Sequence, residues 1–407
     1  MIRPIDTQRD SDAVVRIYRE VGWVSETAHE GAARELLACS RGWVEDVAGS
    51  AECFVAACPG TIRYVDGTLP MCAVTSVTTS RIARKQGLAG RLTAHLLADA
   101  AERGEAVAML GMFEQGFYNQ LGFGTGVYEH WCTFDPAALQ VAVRARTPVR
   151  LTSEDWQAMH SNRLRRFQTH GACSLTPAGL TRAETLWTEN GFGLGYLDGD
   201  GDVSHHIWCS AKGEHGPYRV EWMAYRTRDQ FLELLALIHS LGEQVHSVRL
   251  HEPAGVQIQD FIRQPFKWRR LTERSSHEHR MSADAYWQIR ILDLEACVSA
   301  VRSSCEPITF NLVLSDPVAD YVKDATAWGG VAGEYTVTLG PDSSVTDGAT
   351  SGLPTLRASV NAFSRLWLGV RPATRLSWSD DVQAPEDLLQ ALDQVLRLPI
   401  PYPDWDF

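Results

Sequence analysis

No stretch of this 407-residue chain approaches the roughly 18–20 consecutive apolar residues needed to cross a bilayer, which excludes an ordinary membrane-spanning helix. The opening M-I-R-P-I-D-T-Q-R-D lacks the apolar core of a secretory signal, so a cytoplasmic location is expected. Nine cysteines are present, but no two stand as C-x-x-C. They are expected to be free or buried thiols in a reducing compartment. Basic side chains are scarce: 38 against 50 acidic ones give a net charge of −12. Nucleic acid needs a basic face, so no such partner is expected. The acidic balance suits a cationic small molecule. Metal spacing is missing as well. H-E-H at 277–279 and the pair His205–His206 have no cysteine or carboxylate at ligand distance in sequence, and exposed histidines with no metal are expected. The glycine-rich Gly191–Tyr196 lacks the G-x-G-x-x-G of a dinucleotide loop and reads as a strand with a turn after it.

The length calls for more than one core. In the first segment strands and helices alternate, which points to an α/β sheet. A helix holds Val14, Val15, Ile17 and Tyr18 on one side. Strands are expected at 53–58, 61–65 and 71–79, with turns at Pro59-Gly60 and Asp66-Gly67. A helix over 87–103 and a buried strand V-A-M-L-G follow. From Val149 the order strand, strand, helix, strand is repeated. From Tyr286 an α+β segment begins, with a flexible loop expected at 340–354 and a helix E-D-L-L-Q-A-L-D-Q-V-L near the end. The limits drawn are 1–145, 146–285 and 286–407.

The chemistry lies in V-T-S-V-T-T-S-R-I-A-R-K-Q-G-L-A-G-R-L-T-A-H-L-L, residues 74–97. A β-rich run gives way to a short basic loop containing Gly87, then to a helix with Leu88, Leu92 and Leu96 on one stripe. Free N–H groups at a helix start, a permissive glycine, and Arg84, Lys85 and Arg91 together describe an anion site. On the same residues, a plain capped helix is the other reading.

Arg84, Gly87 and Ala89, as R-x-x-G-x-A, resemble the pyrophosphate loop of the GNAT acetyltransferases. Downstream, F-Y-N-Q-L-G-F (Phe117–Phe123) resembles their F-Y-x-x-x-G-F signature, in the right order. The resemblance implies acetyl-CoA as cosubstrate and direct transfer to an amine, without metal. Val77, Thr78 and Thr79 would meet the pantetheine arm, with the Val77 N–H on the thioester carbonyl. The loop residues Arg84, Lys85, Gln86 and Gly87, with Leu88 and Ala89, would hold the diphosphate. Glu114 would add a cofactor contact. Tyr118 would be the general acid for the departing thiolate.

The chain ends in P-Y-P-D-W-D-F, whose aromatics Tyr402, Trp405 and Phe407 suit a packed tail better than a loose end. The whole chain resembles the Eis (enhanced intracellular survival) family. That resemblance implies tandem GNAT folds, the second degenerate, plus a C-terminal sterol-carrier-protein-like domain whose tail enters the active site. E-W-M-A-Y-R-T-R-D-Q-F in the second segment has no phosphate-binding glycine, and Leu356–Gly369 resembles that C-terminal domain. It further implies hexamers, a cationic acceptor of aminoglycoside or lysine type, and the terminal carboxylate of Phe407 as base. Asp406 would be a second negative group, with Asp404 weaker. Glu20, Trp23, Glu26 and Trp43 are candidate acceptor lining. The alternative is a non-catalytic acyl-CoA- or lipid-binding protein that works through the third segment.

Overall fold

In the computed structural model, residues 1–25, 27–322 and 326–406 are described. The chain opens with β1 (Ile2–Pro4), α1 (Thr7–Val21) and α2 (Thr27–Cys39). The Asp6 carboxylate caps α1 by accepting from Gln8 N and Arg9 N, and Val14, Val15, Ile17 and Tyr18 are buried as their spacing requires. Then come β2 (Arg41–Val47), β3 (Ser50–Tyr64), β4 (Gly67–Thr79), α3 (Leu88–Glu102), β5 (Val107–Gly111), α4 (Gln115–Asn119) and β6 (Gly124–Thr125). Every residue of β3 from Ala51 to Cys58 is buried, as in a strand covered on both faces. The expected turn at Pro59-Gly60 does not form. β3 runs straight through it because β9 (Cys173–Leu175) pairs with Gly60–Ile62 on the far side. Leu92 and Leu96 of α3 are fully buried, each worth about 2 kcal/mol in removed apolar surface.

The second sheet uses β7 (Glu129–Phe134), β8 (Val149–Leu151), β10 (Gly191–Leu197), β11 (Val203–Ala211), β12 (Tyr218–Ala224), β13 (Val248–His251) and β14 (Arg280–Asp284). Its helices include α5 (Trp156–Leu164), α6 (Ala178–Trp187) and α7 (Arg228–Ser240). Both sheets follow one plan: antiparallel neighbours, one parallel pair with a helix between its strands, then two closing strands. The order is β1-β2-β3-β4-β5-β15-β6 in the first and β8-β10-β11-β12-β13-β7-β14 in the second, β15 being Trp287–Ile291. β4/β5 and β12/β13 are the parallel pairs.

The closing strands are exchanged between the sheets. Residues 129–134, placed by sequence at the end of the first unit, lie in the second sheet. Residues 287–291, expected to open the third unit, complete the first by pairing with β5 and β6. The crossing point demands a glycine. A Cβ on Gly126 would stand 2.2 Å from the Trp287 ring, and Gly126 N donates to Trp287 O at 2.9 Å.

A third sheet follows: β16 (Ile308–Ser315), β17 (Gly333–Leu339), β18 (Ser344–Asp347), β19 (Thr355–Ser359) and β20 (Val382–Gln383). The 340–354 segment, expected to be a flexible loop, contains β18, which pairs with β17. Two features tie this unit to the first. Ser364 Oγ accepts from Ile291 N at 3.0 Å, and the wholly buried Arg290–Asp316 pair closes at 2.7 Å.

The histidines expected on the surface are mostly inside. His205, His206 and His279 are buried. His206 Nδ1 meets the Asn162 amide at 2.8 Å and its Nε2 accepts from Trp222 Nε1 at 3.0 Å, so the ring is a satisfied core group. Among the described residues, no three His, Cys, Asp or Glu side chains are grouped to hold a metal, and no helix is long and apolar enough to cross a membrane.

Candidate active site

β4 and β5 pair only over Met71–Ala73 and Val107–Met109, then part, although β4 continues to Thr79. Along its other edge β4 carries a bulge: Phe54 faces Thr78 and Ala56 faces Thr75, so Ser76 and Val77 share the single residue Val55. Ser76 takes a left-handed φ of 55° there. This opened strand lines a cavity of about 440 Å³ with Trp23, Val74–Val77, Gly111, Phe113, Tyr118, Trp187 and Tyr286. Backbone groups freed by the splay face an open cleft, which suits an extended ligand added like a strand.

At the end of the same strand, Arg84, Lys85, Gln86 and Gly87 are exposed, Leu88 is buried and Ala89 is half-buried. Lys85 and Gly87 have φ of 62° and 71°. Gly87 stands at the N-cap of α3, and no side chain caps the helix. The first-turn donors therefore remain for an anion. Arg91, expected to add charge at this anion site, instead supports the loop, donating to Gln86 O at 3.1 Å and pairing with Glu45 at 3.0 Å. The Thr78 hydroxyl is buried and unpartnered, while Thr79 Oγ1 lies 3.3 Å from Cys53 Sγ.

Tyr118 lies on α4, 2% exposed, with Phe117 edge-on at 4.9 Å and Phe123 at 6.2 Å. Burial first, then Tyr286 and Glu114, raise the phenol well above its usual range, so the hydroxyl stays protonated at neutral pH. Glu114, expected as a cofactor contact, also has a structural task. Its carboxylate caps α4, accepting from Gly116 N at 3.1 Å and Phe117 N at 2.6 Å, and so fixes the helix carrying Tyr118. The turn after α4 is held from the third unit: Asn361 Nδ2 donates to Asn119 O at 2.9 Å and Phe123 O at 2.8 Å.

A second cavity of about 480 Å³ lies against β12, where its counterpart lies against β4. Its walls include Trp131, Trp187, Glu189, Glu221, Trp222 and the tail residues Tyr402, Asp404, Trp405 and Asp406. Trp187, at the end of α6, lines both cavities, and its Nε1 donates to Trp23 O at 3.4 Å. The tail is docked, not loose. Tyr402 N donates to His170 O at 2.9 Å, and Trp405 Nε1 donates to Glu184 at 3.0 Å. Arg163 lies over the Trp405 ring at 3.7 Å and the Trp222 ring at 4.3 Å. Asp404 is taken by Arg166 in a two-pronged pair, with Nε at 2.7 Å, and is structural. Asp406 remains exposed at the cavity.

Of the acceptor candidates, Trp23 and Asp406 line cavities, one each. Glu20 does not: its carboxylate accepts from Arg81 N at 2.7 Å beside the anion loop. Trp43 packs edge-on against His95 at 4.2 Å on the far side of the sheet. Glu26 and Phe407 lie outside the described residues. Trp187, Tyr286, His251 and Glu129 were missed; no local motif marks them, because each reaches the site through long-range packing.

Residues 6–126 match the acetyltransferase (GNAT) domain. Over 364 residues the chain is 27% identical to an uncharacterized N-acetyltransferase of Streptomyces avermitilis, covering 83% of this chain and 81% of that protein. Among solved structures, a conserved protein from Enterococcus faecalis V583 superposes with a TM-score of 0.79 at 18% identity, over 100% of this chain and 99% of that one. Eis1 from Mycobacterium abscessus superposes with a TM-score of 0.76 at 16% identity, over 100% of both chains. The structural likenesses show a shared fold along the full length. The chain carries a GNAT acetyltransferase domain and is an acetyltransferase.

Proposed function

We propose that this enzyme moves an acetyl group from acetyl-CoA to a primary amine of a cationic acceptor, with the two cavities holding the two substrates. The observation that carries the reading is Trp187, which joins a cleft containing the bulged strand and Tyr118 to a cavity with aromatic walls and acidic groups. Acetyl-CoA supplies the acetyl group as a reactive thioester. The uncapped start of α3 and the loop Arg84–Gly87 would hold its diphosphate, and the backbone at Val77 its carbonyl oxygen. Tyr118 is the proton donor to the thiol leaving group. The second cavity presents five carboxylates against two guanidiniums, among indole and phenol faces. That lining favours an ammonium group carried on an apolar body.

The terminal carboxylate of Phe407 is proposed as the group that receives the acceptor's ammonium. The docked tail, which brings Asp406 to the cavity, supports this. The same reading places the chain among Eis-type acetyltransferases, with a degenerate second GNAT fold, a sterol-carrier-like third unit, six-fold assembly and a cytoplasmic site. Light scattering tests the assembly.

The decisive experiment follows CoA-thiol release from acetyl-CoA with an aminoglycoside, a polyamine and a lysine peptide. The native chain is run beside one extended by two glycines after Phe407. A fall of at least about tenfold on extension, roughly 1.4 kcal/mol of barrier, is expected. Equal turnover in both removes the terminal carboxylate from the mechanism, and no turnover with any amine removes the acceptor class.

A further inference from the structure

Glu129 opens β7 and is 7% exposed. Among the described residues its carboxylate makes no hydrogen bond. It faces His251, the last residue of β13, with Oε1 3.9 Å from Nε2. That Nε2 is itself buried and unpartnered. On the ring's other side, Nδ1 lies 3.0 Å from the Tyr402 hydroxyl. Trp131 stacks on the imidazole at 4.8 Å and fixes its plane. His251 and Tyr402 line the second cavity, and Glu129 stands behind them.

An unpaired buried carboxylate is costly, so its retention calls for a use. Burial, and then Asp406, push Glu129 up to about 8. Burial, with Arg219, His130 and Arg249 nearby, brings His251 down to about 4, so the ring is neutral at ordinary pH. Tyr286, Tyr402 and Asp406 also face Glu129 electrostatically, and Asp284 is its cross-strand neighbour. Amine acetylation releases one proton from the acceptor. A chain-terminal carboxylate, which ordinarily titrates at about 3.5, orients an ammonium but does not keep its proton at neutral pH; a base near the working pH does.

We infer that Tyr402, His251 and Glu129 form a proton relay that draws the ammonium proton out of the acceptor cavity. The inference rests on the acceptor lying in that cavity. An ammonium N–H bond breaks and its proton passes to the Tyr402 oxygen, directly or from the tail. The Tyr402 proton passes to His251 Nδ1. The proton on Nε2 passes to the Glu129 carboxylate as the 3.9 Å separation between them closes. The amine is left with its lone pair for attack on the thioester. Glu129 ends protonated and the imidazole in its other tautomer, and both revert by exchange with water once the product leaves.

The test compares two acceptors: a strongly basic alkylamine, and a fluorinated ethylamine that is already neutral at the assay pH. Glu129→Gln and Tyr402→Phe are expected to lower kcat/KM about 30-fold for the basic amine and less than about threefold for the neutral one. In the native enzyme kcat/KM for the basic amine rises with pH through about 8; the variants lose that limb. Infrared difference titration of the protein alone is expected to show a carboxyl band disappearing as pH rises through the same range, absent in Glu129→Gln. Equal losses for both amines, or no loss for either, overturn the relay alone. A native enzyme that acetylates neither amine overturns the acceptor assignment and the relay with it.

Discussion

The step from β4 to α3 and the step from β12 to α7 are the same strand–turn–helix passage made twice in one chain, with differently capped helix starts. Both strands bulge. Ser76 and Val77 share Val55 in the first; in the second, Glu221 is the extra residue between partners Trp222–Trp208 and Val220–Cys209. The helix starts then diverge. At α3 the cap is Gly87, with no side-chain acceptor. At α7 the Thr227 hydroxyl accepts from Gln230 N at 3.3 Å, while the Gln230 side chain accepts from Arg226 N at 2.7 Å. The second helix has one of its free donors answered by its own cap. A helix start is an anion site only where nothing in the chain answers it first. The cleft beside it was then free for another tenant, and the tail lies there.

The largest effect expected from breaking this comparison is at Tyr118. Tyr118→Phe should lower kcat at least about 100-fold, the usual weight of a general acid, with acetyl-CoA binding nearly unchanged by calorimetry. A kcat within a few-fold of native would remove Tyr118 from the chemistry. Next is a matched pair at the two helix starts. Gly87→Val places a branched side chain at φ 71° and should weaken acetyl-CoA binding about tenfold. Thr227→Ala should leave that binding untouched and cost about 1 kcal/mol of stability in urea. If Thr227→Ala also weakened acetyl-CoA binding, the second sheet would share in holding the cofactor. The smallest effect concerns acid. His160 and His206, held near 4 and 3 by burial, stay neutral in the folded second unit. Below about pH 6.5 the unfolded chain takes up protons that the folded unit refuses, so stability is lost as pH falls from there toward 3. Amide exchange at pH 4.5 should therefore rise in β10–β12 before β3–β4; simultaneous loss would contradict it.

What could be seen from sequence was local. Gly87, the Leu88–Leu92–Leu96 stripe and the Phe117–Phe123 motif act on covalent near neighbours, and spacing reveals them. The capping role of Glu114 was not legible, because it depends on a backbone turn that composition does not display. The contact of Glu20 with the Arg81 N–H was hidden for a similar reason, since it joins residues 61 positions apart. Nothing local could reveal Tyr402 against His251, 151 positions apart. Nor could it reveal Trp187, which matters only because two units meet at its ring. The strand exchange was hidden most deeply, since V-Y-E-H-W-C-T-F and W-Q-I-R-I-L are equally good strands in either sheet.

That exchange has a consequence on the ribosome. Chains emerge from the N-terminus at about 5–20 residues per second. β5 ends at Gly111, but its partner β15 begins only at Trp287. For roughly 9 to 35 seconds the nascent first sheet has an open edge, a template for wrong pairing with neighbouring chains. The first sheet can close only after every strand of the second has been synthesised.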